Sequence, residues 1–205
     1  MPRVIEAIQK RRSIRKYLPH SVPHELVLEA LAAAGWAPSA HNSQPWRFIV
    51  ISNTTIKRKL AEAMSKAWAA DIVKDGLTVN EENRKERVER FANAPILILC
   101  CLTMEGLRKF PDIQRQGFER DLAMQSFGAA IQNLLLAAYA QKLVSCWFCA
   151  PGFCKQTVRE VLKIPDDIEP QSFVILGYAG ECPPNPPKKK LTEYCYLDLW
   201  GKPLK

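Results

Sequence analysis

The run PILILCCLT, residues 95–103, constrains the fold more than any other stretch. Successive side chains of a strand point to opposite faces, so an uninterrupted apolar strand has both faces covered. A sheet of this kind needs helices on each side. The stretches WRFIVI (46–51), VSCWFCA (144–150) and SFVILGYAG (172–180) read as further strands. Between them lie helical patterns over 2–10, 55–70, 81–91 and 119–141, and one in PGFCKQTVREVLKI. Another helix follows Ser21 as cap and Pro23 in its first turn, with Leu26, Val27, Ala30, Leu31 and Ala34 on one face and Gly35 and Pro38 at its end. The segment AAIQNLLLAAYA is apolar almost all round, which predicts a central or interface helix.

Pattern alone suggests an α/β layer protein, and invites a doubly wound nucleotide fold. Yet no GxGxxG or GxxxxGK[ST] loop occurs, and the chain has only nine glycines. If an anionic nucleotide binds, side chains must hold its phosphate. No repeat or domain boundary interrupts residues 1–205, so one domain is expected. The Pro-rich ECPPNPPKKK opens an extended C-terminal arm from about residue 181.

The formal charge is +8. Its bases gather in KRRSIRK (10–16) and KKK (188–190), with no nucleic-acid-binding motif between. A small anionic ligand is therefore favoured over nucleic acid. No signal peptide and no membrane-length apolar run is read, so the expected location is the cytoplasm. Seven cysteines include CWFC at 146–149, but a second CxxC or a Cys/His zinc spacing is missing. Cys100, Cys101, Cys146 and Cys149 are expected to be small apolar residues on buried strands, and no metal site is expected.

Two motifs carry the chemistry. In RRSIRKY, Arg11, Ser13 and Arg15 alternate, so an extended backbone points all three one way. Two guanidiniums and a hydroxyl suit a phosphate, with Arg12 between them. In APSAHNSQPW, Ser39, Asn42 and Gln44 offer uncharged donors and acceptors suited to the edge of a heterocycle. His41 and Trp46 read as structural. No nucleophile–base pair accompanies them, so no catalytic side chain is assigned and a cofactor is expected to carry the reaction.

RRSIRKY followed by APSAHNSQPWRF, then FGAAIQNLLLAAYAQKLVSCWF, VREVLKIP, FVILGYAGE and PPKKKL, resembles the FMN-dependent nitroreductase family over nearly the whole chain. KAWAADIVKDGL, FPD and ERDLAMQSFGAAIQNLLLAA are similar to the nitroreductase-like domain fused to the glutamyl ligase of deazaflavin-cofactor synthesis, though no ligase domain is present. The resemblance implies an α+β fold with a mainly antiparallel sheet and an intertwined homodimer. It places FMN at two interfacial sites. Carried over by position, Arg11, Ser13 and Arg15 hold the phosphate and ribityl chain, and Lys188 and Lys190 reach the same pole. Pro38, Ser39, Ala40 and Asn42 line the ring, partly from the other subunit. The Glu-Gly pair that many members of the family carry after the late strand is replaced by CAPGF, where Gly152 is the expected backbone donor because Pro151 has no N–H.

The activity implied is two-electron transfer from NADH or NADPH through FMN to a small acceptor such as a nitroaromatic or quinone. The alternatives are a specialised reductase of deazaflavin-cofactor biosynthesis and a flavin-binding module without turnover.

Overall fold

The computed structural model describes residues 3–204. Its centre is a four-stranded sheet in the order β1-β2-β4-β3, with β1 at Trp46–Ile51, β2 at Ile96–Thr103, β3 at Val144–Phe148 and β4 at Ile168–Gly177. Every neighbouring pair is antiparallel, which sets aside the doubly wound pattern and gives the α+β fold. The connection between β1 and β2 shows why. It contains two helices, α3 (Thr54–Lys74) and α4 (Glu81–Ala92), packed against each other. A helical hairpin returns the chain to the end it left, so the next strand runs back.

Strand β2 sorts its side chains into two cores. Ile98, Cys100 and Leu102 pack with Val27, Ala30 and Ala34 of α2 (His24–Gly35) and with Phe127, Ile131 and Leu134 of α5 (Ile113–Ala140). Leu97, Leu99 and Cys101 face Leu60 and Met64 of α3, Phe91 of α4 and Val158 of α6 (Lys155–Leu162). A sheet covered on both faces is what the continuous apolar run demanded.

Several boundaries differ from the sequence reading. Helix α1 runs Val4–Lys10, and Pro2 lies outside the described residues. Ser21 does not cap α2, because the helix begins at His24 with Pro23 at the cap and no side-chain bond there. Helix α5 starts six residues early, at Ile113, where the Asp112 carboxylate accepts the Arg115 N–H at 2.8 Å. Strand β3 stops at Phe148, so Cys149 is exposed and not a buried strand residue; Cys100, Cys101 and Cys146 are buried. Among the described residues no helix is long and apolar enough to cross a membrane.

Candidate functional site

The clamp segment lies along the free edge of β3. Ser13 bridges to Ser145, and the Ile14 N–H donates to the Ser145 carbonyl at 3.1 Å. Ile14 is buried, so the residues on either side of it point the other way, as an extended chain requires. The far side of the segment is pinned to the start of the arm. Glu181 accepts the Arg15 and Lys16 N–H groups, and the Gly180 N–H donates to the Lys16 carbonyl. Gly180 is needed there, since a Cβ would sit 3.1 Å from the Lys16 and Tyr17 carbonyl carbons.

Arg11, Ser13 and Arg15 are brought together around Cys146. Burial pushes that thiol up, while Arg15, the Ser13 hydroxyl, Arg90 and Arg11 all act on it in the opposite sense. Arg90 stands in the last turn of α4 and was not singled out from sequence. Burial and then the neighbouring Arg12 lower the pKa of Arg11, and its Nε is buried without a hydrogen-bond partner. Arg11 is thus a partly desolvated cation beside a second guanidinium. Arg12 faces elsewhere: its guanidinium binds Asn185 of the arm and the Gln9 and Arg11 carbonyls. Lys188 and Lys190 follow Asn185 on the exposed arm. Among the described residues no hydrogen bond or ion pair joins them to the clamp.

Arg90, which also acts on Cys146, lines a cavity of about 680 Å³. Its walls are Trp68 and Ser65 of α3, Arg87 and Phe91 of α4, Phe148 at the end of β3, and Cys149 and Phe153 beyond it. Arg87 lies 4.2 Å over the Trp68 ring, and Arg90 5.7 Å over Phe148. The Ser65 hydroxyl is buried and unpaired. None of these α3 and α4 residues was found from sequence, because their meeting depends on how the hairpin folds over the sheet.

The turn Ala150–Phe153 closes the cavity. It leans on a bulge in β4, where Cys100 and Cys101 oppose Ser172 and Pro170 and Gln171 is skipped. A Cβ on Gly152 would come within 3.2 Å of the Gln171 carbonyl, so the close approach favours glycine. Gly152 is the backbone donor expected from sequence. Its N–H is engaged by the Cys149 carbonyl at 3.1 Å, which closes the turn, and so is not presented to the cavity.

The 38–44 loop is at the opposite edge of the sheet. Pro38 and Asn42 are exposed, and Ser39 and Ala40 half-buried. His41, Asn42 and Gln44 all adopt left-handed backbone, with φ of 55°, 53° and 47°. The Ala40 N–H donates to the Ser126 hydroxyl at 3.1 Å, and the Gln44 N–H to the Ser39 hydroxyl at 3.1 Å. The loop leads into β1, whereas the clamp and cavity flank β3. Three inter-strand spacings separate those edges, about 14 Å. Among the described residues, none of 38–44 lines the cavity. Among the described residues no group of three or more His, Cys, Asp or Glu is placed to hold a metal ion.

The chain is similar to known proteins in sequence and in fold. A relative from Methanothermobacter thermautotrophicus, described as "Putative NADH dehydrogenase/NAD(P)H nitroreductase", is 34% identical over 96% of this chain and 87% of its own. A BluB-like flavoprotein from Clostridium difficile superposes with a TM-score of 0.81 at 26% identity, over 96% of this chain and 99% of that one. The NfrA1 nitroreductase of Bacillus subtilis shares the fold, with a TM-score of 0.75 at 16% identity over 97% of this chain and 75% of that one. The model of the nitroreductase family matches residues 8–178, which span the clamp, the loop, the cavity and all four strands. The chain belongs to the nitroreductase family.

Proposed function

We propose that the chain is an FMN-dependent NAD(P)H oxidoreductase that works as a homodimer with two composite sites. The observation that carries this reading is the group of Arg11, Ser13 and Arg15 around Cys146, whose fourth neighbour Arg90 also lines an aromatic cavity of about 680 Å³. The residues fit the cofactor. The buried, unpartnered Arg11 Nε suits a phosphate oxygen, and charge-assisted contacts of this kind are the strong ones. Trp68, Phe148 and Phe153 offer flat apolar surface for a tricyclic ring, and the unpaired Ser65 hydroxyl offers a polar contact to its edge. Bound there, FMN would supply two-electron transfer from NADH or NADPH to an acceptor such as a nitroaromatic or a quinone.

The protein's part is to bind, orient and exclude water. Arg11 and Arg15 hold the anionic end, with Lys188 and Lys190 adding charge from the arm. The Ala150–Phe153 turn closes one side of the ring. The other side is completed by Ser39, Asn42 and Gln44 of a second copy, because a chain's own loop lies at the far edge of its sheet. Apolar surface on the arm and on α5 supports the pairing: Ile113, Leu199 and Trp200 are 91%, 72% and 90% exposed.

Protein purified and heat-denatured should release one FMN per chain, identified by chromatography. The loaded protein should oxidise NADH or NADPH faster when a nitroaromatic or quinone is added. Adding an unsaturated deazaflavin-cofactor precursor to the acceptor panel separates the general reductase from the biosynthetic one. FAD in place of FMN, or no flavin after reconstitution, ends this reading.

A further inference from the structure

Resting on the cofactor reading above, we infer that Glu119 is a positioning residue that fixes the 39–44 loop from outside the site. It lies in α5, is only 4% exposed, and makes no contact with the clamp or the cavity. Its two oxygens serve two different loops. Oε1 stands 3.3 Å from His41 Nε2, and Oε2 accepts the Arg108 N–H at 3.3 Å.

Three further observations give this carboxylate its task. The loop is held in left-handed backbone at three non-glycine residues, a conformation that surrounding contacts must enforce. The 104–108 loop presses on it from the side. Gly106, with φ 76°, passes so close that a Cβ would sit 3.3 Å from the Ser43 Cα and Cβ. About two turns further along α5, the Ser126 hydroxyl accepts the Ala40 N–H and donates to the Leu122 carbonyl. Ser126 and Glu119 thus hold the same loop at two points from one rigid helix. Glu119 alone also ties in the neighbouring loop that braces it. His41, with no acid–base partner on its own strand or turn, acts here as the loop's handle on α5.

The consequence is specific. Loss of Glu119 leaves the sheet, the clamp and the cavity intact but loosens Ser39, Asn42 and Gln44. Because those groups are assigned to the ring and not to the phosphate, FMN and riboflavin lose affinity alike.

The test uses Glu119→Ala, Glu119→Gln, His41→Ala and the double variant His41→Ala/Glu119→Ala in the full chain. In apo protein, amide exchange at Ala40, Asn42, Ser43 and Gln44 should speed up about tenfold in Glu119→Ala, while core amides of β2 stay protected. Flavin titration should show about tenfold weaker binding of FMN and of riboflavin, with an altered visible circular dichroism of the bound flavin. Glu119→Gln, which keeps both polar contacts available, should recover to within about threefold. The double variant should lose no more than the worse single one, the mark of two residues acting as a unit. Wild-type-like exchange and flavin affinity in Glu119→Ala and His41→Ala overturn the positioning role alone. A wild type that takes up neither flavin overturns the cofactor reading, and with it the role assigned to Glu119.

Discussion

The two candidate flanks of the site are built in opposite ways. The clamp segment 11–16 is held by its main chain: to β3 through Ser145, and to the arm through Glu181 and Gly180. Among the described residues, the Arg11 and Arg15 side chains make no ion pair with another element. The 39–44 loop is held by side chains of another element, Ser126 and Glu119 of α5. The difference teaches where mutations should act. At the clamp, changing a side chain alters binding and spares the scaffold. At the loop, distant residues set the geometry, and changes there reach the site indirectly.

The largest effect should come from breaking the clamp's main-chain seat. Gly177 ends β4, and a Cβ there would come 2.8 Å from Tyr17 Cδ1 and from Pro95 Cγ. Neither ring can swing aside freely, so Gly177→Ala should cost about 2 kcal/mol in urea unfolding. It should also weaken FMN and riboflavin together, because Tyr17 and the clamp would be displaced as one piece. A stable Gly177→Ala protein with wild-type flavin affinity would mean that the clamp is not seated through β4.

Next comes the junction behind the Ala150–Phe153 turn. Glu169 pairs with Arg120 of α5, at 2.7 Å, and with Lys155 at the start of α6. Burial pushes its carboxyl up, but the two cations outweigh this and hold it at about 2. A depressed carboxyl stabilises the native state above its unfolded pKa and loses that contribution as pH falls through the folded value. The wild type should therefore lose stability between about pH 4.5 and about pH 2. Glu169→Gln should be less stable than wild type by about 2 kcal/mol at neutral pH, and the gap should narrow on acidification. Urea midpoints across that range check it; a constant gap would show that the ion pairs are not the source.

Ser126→Ala removes the acceptor for the Ala40 N–H and should cost about 1 kcal/mol. Binding of both flavins should weaken severalfold and equally, which is the loop's signature. The smallest effect is expected at Arg12, whose guanidinium is taken up by Asn185 and nearby carbonyls. Arg12→Ala should change stability by less than about 0.5 kcal/mol and mainly speed proteolysis of the arm. If it instead discriminates FMN from riboflavin, Arg12 belongs to the clamp.

The extended backbone of 11–16 and the polar loop before β1 were readable because each is local: one short basic run, and one polar run before a strand. Strand β1 was read at its true limits, Trp46–Ile51, since a polar loop and an Asn-capped helix bracket it. The first residues of β4 were hidden by Pro170 and by the bulge at Gln171, which break the strand pattern where the site needs them. The start of α5 was hidden because IQRQGFER has only Ile113 and Phe118 as large apolar residues, five positions apart and both exposed, so no helical stripe marks it. Ser65, Trp68 and Arg90 gave no sequence signal. Each looks like an ordinary surface or core residue of a helix until α3 and α4 fold over β3.

The central claim is that Arg11 and Arg15 form the phosphate end of a flavin site on a scaffold that does not depend on them. Its most direct test is titration of apo Arg11→Ala and Arg15→Ala with FMN and with riboflavin. A hydrogen bond to a charged group contributes about 1.5–3 kcal/mol, so FMN affinity should fall by about one to two powers of ten in each variant. Riboflavin, which has no phosphate, should bind nearly as to wild type, and urea midpoints should stay close to the wild-type value. Equal losses for the two flavins, or no loss of either, would contradict the account and return RRSIRK to a solvated basic segment.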